Sequence, residues 1–331
     1  MLKIFITACF LFLFSTLTQG AKLTQIDLSE KILKLDANII HPFGKNGFGI
    51  YDKGDKKFKI FNWDFQITGQ IPISNGESPA EVKNIILTAS LINDELFISA
   101  FGDNKIKIFD RKGPFIQCKT FGITPRRIVF KQGKLFLFNS NFSIKEKAAL
   151  LAKVIDPKSG TTLKEITLQD NILSTKTQDQ EASLTGLTSF FDIGDNNHIY
   201  LFNGYEHTLF EIDENGRLIA KTDLPFKMRE KRRIEKRENR YETVVSTLDF
   251  YTGMELFENV CYITFLKTIK TDKDTGAAFY RTIVMKIYRD GKHVEKTFDG
   301  AQSIMGKNGD TLYLFNFDEY RVTPVNTGSW K

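Results

Sequence analysis

The densest chemistry in this 331-residue sequence lies in residues 227–240, KMREKRRIEKRENR, where eight basic residues stand against three acidic ones. That surplus makes up most of the chain's formal charge of +6, so attraction for an anion is concentrated in one stretch. The chemistry it predicts is electrostatic docking of an acidic protein, of lipid headgroups at a membrane surface, or of an anionic glycan, through Arg229, Arg232, Arg233 and Arg237. Nucleic acid fits less well, because the run has no interleaved aromatic residues on which bases could stack. Strong helix formers, with no Gly or Pro after Pro225, predict a short basic helix with Pro225 near its start. Only Met228 and Ile234 are apolar, so this helix should stand largely in water.

The other candidates are weaker. Asp272, Asp274 and Gly276 match the opening of a calcium loop, but the later ligands and the closing Glu are missing, which favours a polar hairpin tip. His198 and His207 fall near opposite ends of one hairpin and cannot share a zinc ion. The sequence contains no H-E-x-x-H, no G-x-S-x-G and no Gly-rich phosphate loop, so no cofactor is expected. Asn141-Phe142-Ser143 is a glycosylation sequon that matters only in a eukaryotic host.

Residues 1–20 carry Lys3, an apolar run from Ile4 to Phe14, and then small and polar residues up to Gly20. That order predicts a secretory signal peptide, cleaved after Gly20 or Ala21, and a secreted or periplasmic protein. Cys9 imitates a lipoprotein box, but too few apolar residues precede it for lipid anchoring to be the expectation. No later stretch approaches the roughly 18 apolar residues of a membrane span, so the mature protein is expected to be soluble. With 41% apolar and 13% aromatic residues, the chain can bury a large core.

The elements that position these residues are repeats. Leu96-Phe97-Ile98 aligns with Ile199-Tyr200-Leu201, Ile106 with Leu209, Phe109-Asp110 with Ile212-Asp213, and Gly113 with Gly216, all at one offset. Residues 48–62 and 312–326 fall in the same frame, and 134–156 and 260–290 are looser copies with insertions. Recurrence at roughly 40–60 residues is the scale of a propeller blade. Six innermost strands are predicted near 38–43, 85–91, 127–131, 187–193, 245–251 and 301–306, within one domain over 21–331. Residues 23–28 alternate apolar and polar and lie outside the first repeat, while the last repeat is one strand short. An N-terminal strand completing that last blade would close the ring. Pro324 falls in a strand of the last repeat and predicts a bulge there. Cys118 and Cys261 fall in the second and fifth blades, too far apart to bridge, and are expected to be separate, mostly buried thiols.

Loops in a propeller alternate between its two faces. Tight turns gather on one, and every long connection falls on the other: 74–82, 139–147, 170–186, 225–243 and 267–278. Long loops on a rigid scaffold are where binding is expected.

The blade pattern of Phe97-Ile98-Ser99-Ala100, then Asp103-Asn104-Lys105-Ile106-Lys107-Ile108-Phe109-Asp110 and Gly113, resembles the NHL-type and related exported bacterial six-bladed propellers. Gly76, Glu77, Pro79 and Glu81 match that family's G-E-G-P-G-E-F stretch, while Ser78, Ala80 and Val82 depart from it. The resemblance implies an all-β, six-bladed propeller, and its members include interaction scaffolds, sugar- or protein-binding modules and a few enzymes. The enzymes of the lactonase and gluconolactonase class imply a divalent metal at the channel mouth, which Glu77, Glu81 and Asp249 could approach. The inner strands begin with Arg126, Arg127, Thr188, Gln302 and Ser303 instead of a recurring Asn/Asp set, so catalysis is not the expectation. The sequence points to a protein-binding or anionic-glycan-binding module. Its long-loop face would use Arg229, Arg232, Arg233 and Arg237 together with Glu77 and Pro79, and the alternative is a metal-dependent hydrolase.

Overall fold

The computed structural model describes residues 25–32, 35–83, 85–101, 103–139, 149–169, 189–204, 206–237, 240–271 and 278–330, with side chains undescribed at 35–39 and 230–248. Residues 1–20, the sequon at 141–143 and the Asp272–Gly276 stretch therefore lie outside the described residues.

The strands assemble into six antiparallel sheets. The first blade is β2 (Leu35–Pro42), β3 (Phe48–Asp52), β4 (Lys57–Phe61) and β5 (Ile67–Pro72), and the second is β6 (Ile86–Ile92), β7 (Glu95–Ala100), β8 (Lys105–Asp110) and β9 (Phe115–Thr120). The third is β10 (Pro125–Lys131), β11 (Lys134–Asn139), β12 (Leu150–Ile155) and β13 (Thr162–Thr167). The fourth is β14 (Ser189–Ile193), β15 (Ile199–Asn203), β16 (Thr208–Ile212) and β17 (Leu218–Asp223). The fifth has five strands: β18 (Arg229–Arg237), β19 (Arg240–Phe257), β20 (Val260–Thr271), β21 (Ala278–Ile287) and β22 (His293–Asp299). The sixth is β23 (Gln302–Asn308), β24 (Thr311–Asn316) and β25 (Arg321–Asn326), and β1 (Ile26–Asp27) pairs along the outer edge of β25, Ile26 opposite Val322. The chain is thus a six-bladed β-propeller, and five of the innermost strands fall where the repeats predict them, while the fifth blade's inner strand is 250–257, shifted from the expected 245–251 because residues 240–249 pair with β18 instead.

The cause of the repetition is visible in the core. Each seam between neighbouring blades holds its own apolar cluster. Phe58, Ile60 and Leu96 pack between the first and second blades, Phe97 and Leu137 between the second and third, and Phe138 and Phe191 between the third and fourth. Phe202 and Phe265 lie between the fourth and fifth, Val284 and Leu314 between the fifth and sixth, and Phe48 and Phe315 between the sixth and first. Each such side chain contributes about 2–3 kcal/mol on burial, which selects the same apolar positions in every blade. Leu28 and Ile32, just after β1, are buried in the seam between the sixth and first blades.

Turn chemistry is equally repetitive. Asn93-Asp94 and Glu258-Asn259 link strands with both residues at positive φ, the two-residue hairpin geometry that matches strand twist. In the outer hairpins Asp110, Asp156, Asp213 and Asp290 each accept the amide two residues on, at 2.7, 2.8, 2.8 and 3.1 Å. Cys118 is half-buried and Cys261 buried, and both are free thiols.

Two local expectations are corrected. The basic segment is the edge strand β18, not a helix: Arg232, Arg233 and Ile234 pair with Val245, Val244 and Thr243. Helix propensity is a weak preference, and a β-branched partner strand immediately downstream overrides it. Pro324 causes no bulge, because β25 runs in register with β24 past Tyr313↔Pro324. The Thr327 N–H donates to Asp310 O, so by alternation Pro324 turns its missing donor away from β24.

Candidate functional site

The long-loop face carries the predicted residues, and the structure places them in two groups. Glu77 and Pro79 sit on the connection between β5 and β6, a compact loop closed by the Asn75↔Val82 bridge and by Val82 N donating to Ser74 O. Pro79 is exposed. Glu77 meets Lys83 at 2.8 Å, and this ion pair holds its carboxyl below the usual range. Glu81 folds back onto the loop, accepting the Ser78 amide at 2.9 Å and filling the space over Gly76 that a Cβ would need.

The arginines belong to the fifth blade. Arg229 faces Asp249 across the β18–β19 ladder, Nε to Oδ2 at 3.0 Å, and Asp249 also accepts the Thr268 amide at 2.8 Å. One of the four arginine charges is therefore answered within the fold. Arg232, Arg233 and Arg237 follow along β18. At about 3.3 Å per residue a nine-residue strand reaches about 26 Å, against about 12 Å for the same residues as a helix. The basic run is thus drawn out along an extended strand that pairs with β19 beyond the blade.

Glu77, Glu81 and Asp249 are each engaged by a different partner, the first two within their own loop and Asp249 by Arg229 of the neighbouring strand. Among the described residues no group of three His, Cys, Asp or Glu is placed to hold a metal ion.

Next to Asp249, whose side chain accepts the Thr268 amide, β20 and β21 extend past the blade, pairing with each other through Lys270↔Phe279 and Thr271↔Ala278. Ile269, at the register shift, and Phe279 are each 55% exposed. Lys267, Lys270 and Arg281 are exposed around them. Ile85 and Phe101 stand exposed on the same face at the second blade.

Sequence reasoning missed two polar clusters. Inside the ring, Arg127 of β10 binds both oxygens of Glu255 on β19, at 2.9 and 2.8 Å. Asp192 of β14 lies between them in the ring and accepts the Leu256 amide at 3.0 Å. Burial pushes Glu255 up to about 7, with Asp192 adding to the rise and Arg127 opposing it, because one guanidinium serves two carboxylates. His41 on β2, which accepts the Ala89 amide at 3.1 Å, is held down to about 3 by burial and by Arg127, so it stays neutral. Arg127 was visible as a basic residue in an inner strand. Its partner is 128 residues away, and no local pattern announces it.

The second cluster lies on the tight-turn face between the fourth and fifth blades. Buried Glu211 takes contacts from His198 Nδ1 at 2.6 Å, Asn196 Nδ2 at 3.0 Å and Arg289 at 3.4 Å. The crevice beside it, lined by Tyr200, Cys261 and Tyr288 among others, holds about 20 Å³, room for one water. Burial pushes the Cys261 thiol well up, away from reactivity. This cluster ties two blades together.

No known family profile matches the chain, and no curated relative does. Among solved structures, a member of the DUF4221 family from Bacteroides vulgatus superposes with a TM-score of 0.58 at 12% identity, over 90% of this chain and 94% of that one. A presumed exported protein from Bacteroides fragilis gives 0.50 at 10% identity, over 89% of this chain and 84% of that one. No helix among the described residues is long and apolar enough to cross a membrane. At these identities the likeness reaches the architecture alone, so the chain is a six-bladed β-propeller that shares its fold with these two proteins.

Proposed function

We propose that the protein is an exported binding module whose long-loop face engages a protein or an anionic glycan. Export rests on the signal-like residues 1–20, and the exported description of the Bacteroides fragilis structure agrees with it. The observation that carries the reading is the strand β18, a drawn-out and strongly basic run that continues from the same blade that exposes Ile269 and Phe279. Cations beside exposed apolar side chains suit an acidic macromolecular surface better than a small molecule. The compact loop with Glu77 and Pro79 supplies a second, rigid contact on that face. The hydrolase alternative gains nothing from Glu77, Glu81 and Asp249, each of which is held by its own partner.

The test is retention of the mature protein on immobilised heparin and on immobilised polyglutamate. Reversing Arg232, Arg233 and Arg237 to Glu, with Arg229 left on Asp249, is expected to abolish retention on both without moving the melting temperature. Unchanged retention on both supports would refute the proposal.

A further inference from the structure

Among the described residues, the fifth blade is the one sheet that carries an additional strand ahead of its inner strand, in the order β18-β19-β20-β21-β22. The first half of β19, up to Asp249, pairs with β18, and the second half, from Phe250, pairs with β20. Among the described residues no strand pairs along the other edge of β18. Such an edge is a row of backbone donors and acceptors able to take one more strand.

Register fixes which residues offer them. Arg237 stands opposite Arg240, with two residues between them in sequence. In a hairpin of that length the flanking pair is hydrogen-bonded and the pairs then alternate. Arg237, Glu235 and Arg233 therefore turn their backbone groups to β19, while Lys236, Ile234 and Arg232 turn theirs to the open edge.

Charge selects the occupant. β18 contains six basic residues and two acidic ones. A second copy of this strand would bring like charge against like, which is how natural edges resist self-pairing. An acidic strand would meet the opposite sign at six of the nine positions of β18. We propose that the open edge of β18 captures an extended acidic polypeptide segment by strand addition, with backbone hydrogen bonds giving the docking geometry and the basic side chains the selectivity. This rests on the binding reading above and specifies its partner and mode.

The experiment uses the mature chain and a fluorescein-labelled ten-residue peptide of alternating Glu and Val, followed by anisotropy. Two further peptides of the same charge carry N-methyl groups on either the Val amides or the Glu amides. An added strand presents only one of these sets to β18, so one methylated peptide should bind about tenfold weaker and the other about as well as the parent. Ile234→Pro removes an outward-facing N–H without changing charge, at a position where an edge strand tolerates proline. It should weaken the parent peptide by about tenfold while leaving heparin retention intact. Equal binding of all three peptides, or equal weakening by both methylation patterns, would overturn strand addition. So would failure of the parent peptide to bind a protein that heparin still retains, and that result would leave the broader binding proposal standing. Loss of heparin retention in the arginine reversal alone bears only on the broader proposal.

Discussion

Arg127 and Glu255 meet at 2.8 Å from blades that are not neighbours, the third and the fifth. Each blade otherwise packs on the next through its own apolar seam, so this ion pair is a tie that skips one blade. Asp192 of the blade between them is hydrogen-bonded to the residue beside Glu255, which draws three inner strands into one polar network.

Removing one partner should cost more than the pair itself is worth, because a buried charge is left behind. Arg127→Met is expected to lower stability by about 2–3 kcal/mol in urea denaturation. That is below the 3–5 kcal/mol typical of a fully buried pair, since the Arg127 side chain is 24% exposed. Glu255→Gln should cost less, because an amide can remain beside the guanidinium. A loss under about 0.5 kcal/mol for Arg127→Met would mean the tie contributes nothing to holding the ring.

The same network sets the pH response. Glu255 is raised from 4.5 to about 7, so between those values the folded chain keeps a proton that the unfolded chain has released, and stability falls as pH rises through that window. His41 is lowered from 6.5 to about 3, so the unfolded chain takes up its proton first, and stability is lost as pH falls from 6.5 toward 3. The two slopes oppose each other between pH 4.5 and 6.5. Relative to the parent, Glu255→Gln should show stability rising more steeply with pH there, and His41→Phe should show it falling. Urea midpoints at half-unit pH steps would decide, and profiles parallel to the parent's would contradict both assignments.

How much of this was legible in the sequence follows from what each feature depends on. The blades were readable because Phe97, Tyr200 and Tyr313 occupy equivalent places in a ring where every seam makes the same demand. The Asp-x-x-Gly hairpins were readable because Asp110 and Asp213 act on amides only two residues away. The basic strand was misread because Lys, Glu and Arg carry a helix preference that decides only when nothing nearby competes. Thr243, Val244 and Val245, shortly after the basic run, were the available warning. Glu255 was beyond local reading, since nothing around it in Met254-Glu255-Leu256 distinguishes a buried ion-pair carboxylate from an exposed one. The pairing between Arg229 and Asp249 became predictable only once β18 was known to be a strand.

The chain's last described residues seal a seam. Trp330 is buried against Tyr262 at 6.2 Å between ring centroids, among Ile304, Leu312 and Val325, with Lys296 Nζ 5.0 Å from its ring. Thr327 anchors the segment by donating its amide to Asp310. Trp330→Ala should cost about 3 kcal/mol, whereas Lys296→Ala should cost about 0.5–1 kcal/mol, the worth of an exposed cation–π contact. Equal losses for the two variants would show that packing in the seam is not what Trp330 contributes.

Ile269 and Phe279 present the opposite case, large apolar side chains more than half exposed at the end of the β20–β21 ladder. Nothing in the packing of the fifth blade needs them, since its buried residues, Ile263, Phe265, Ile283 and Met285, lie further along the same strands. Replacing both with Lys should therefore change stability by no more than about 0.5 kcal/mol, the range of ordinary surface substitutions. The same change should weaken retention on a phenyl column, because two of the exposed apolar residues of the long-loop face would be gone. It adds positive charge beside β18, so heparin retention should hold or strengthen. A destabilisation above about 1.5 kcal/mol would place the two side chains in the fold's own core. Unchanged stability with unchanged phenyl retention would show that this end of the ladder is not an apolar contact surface.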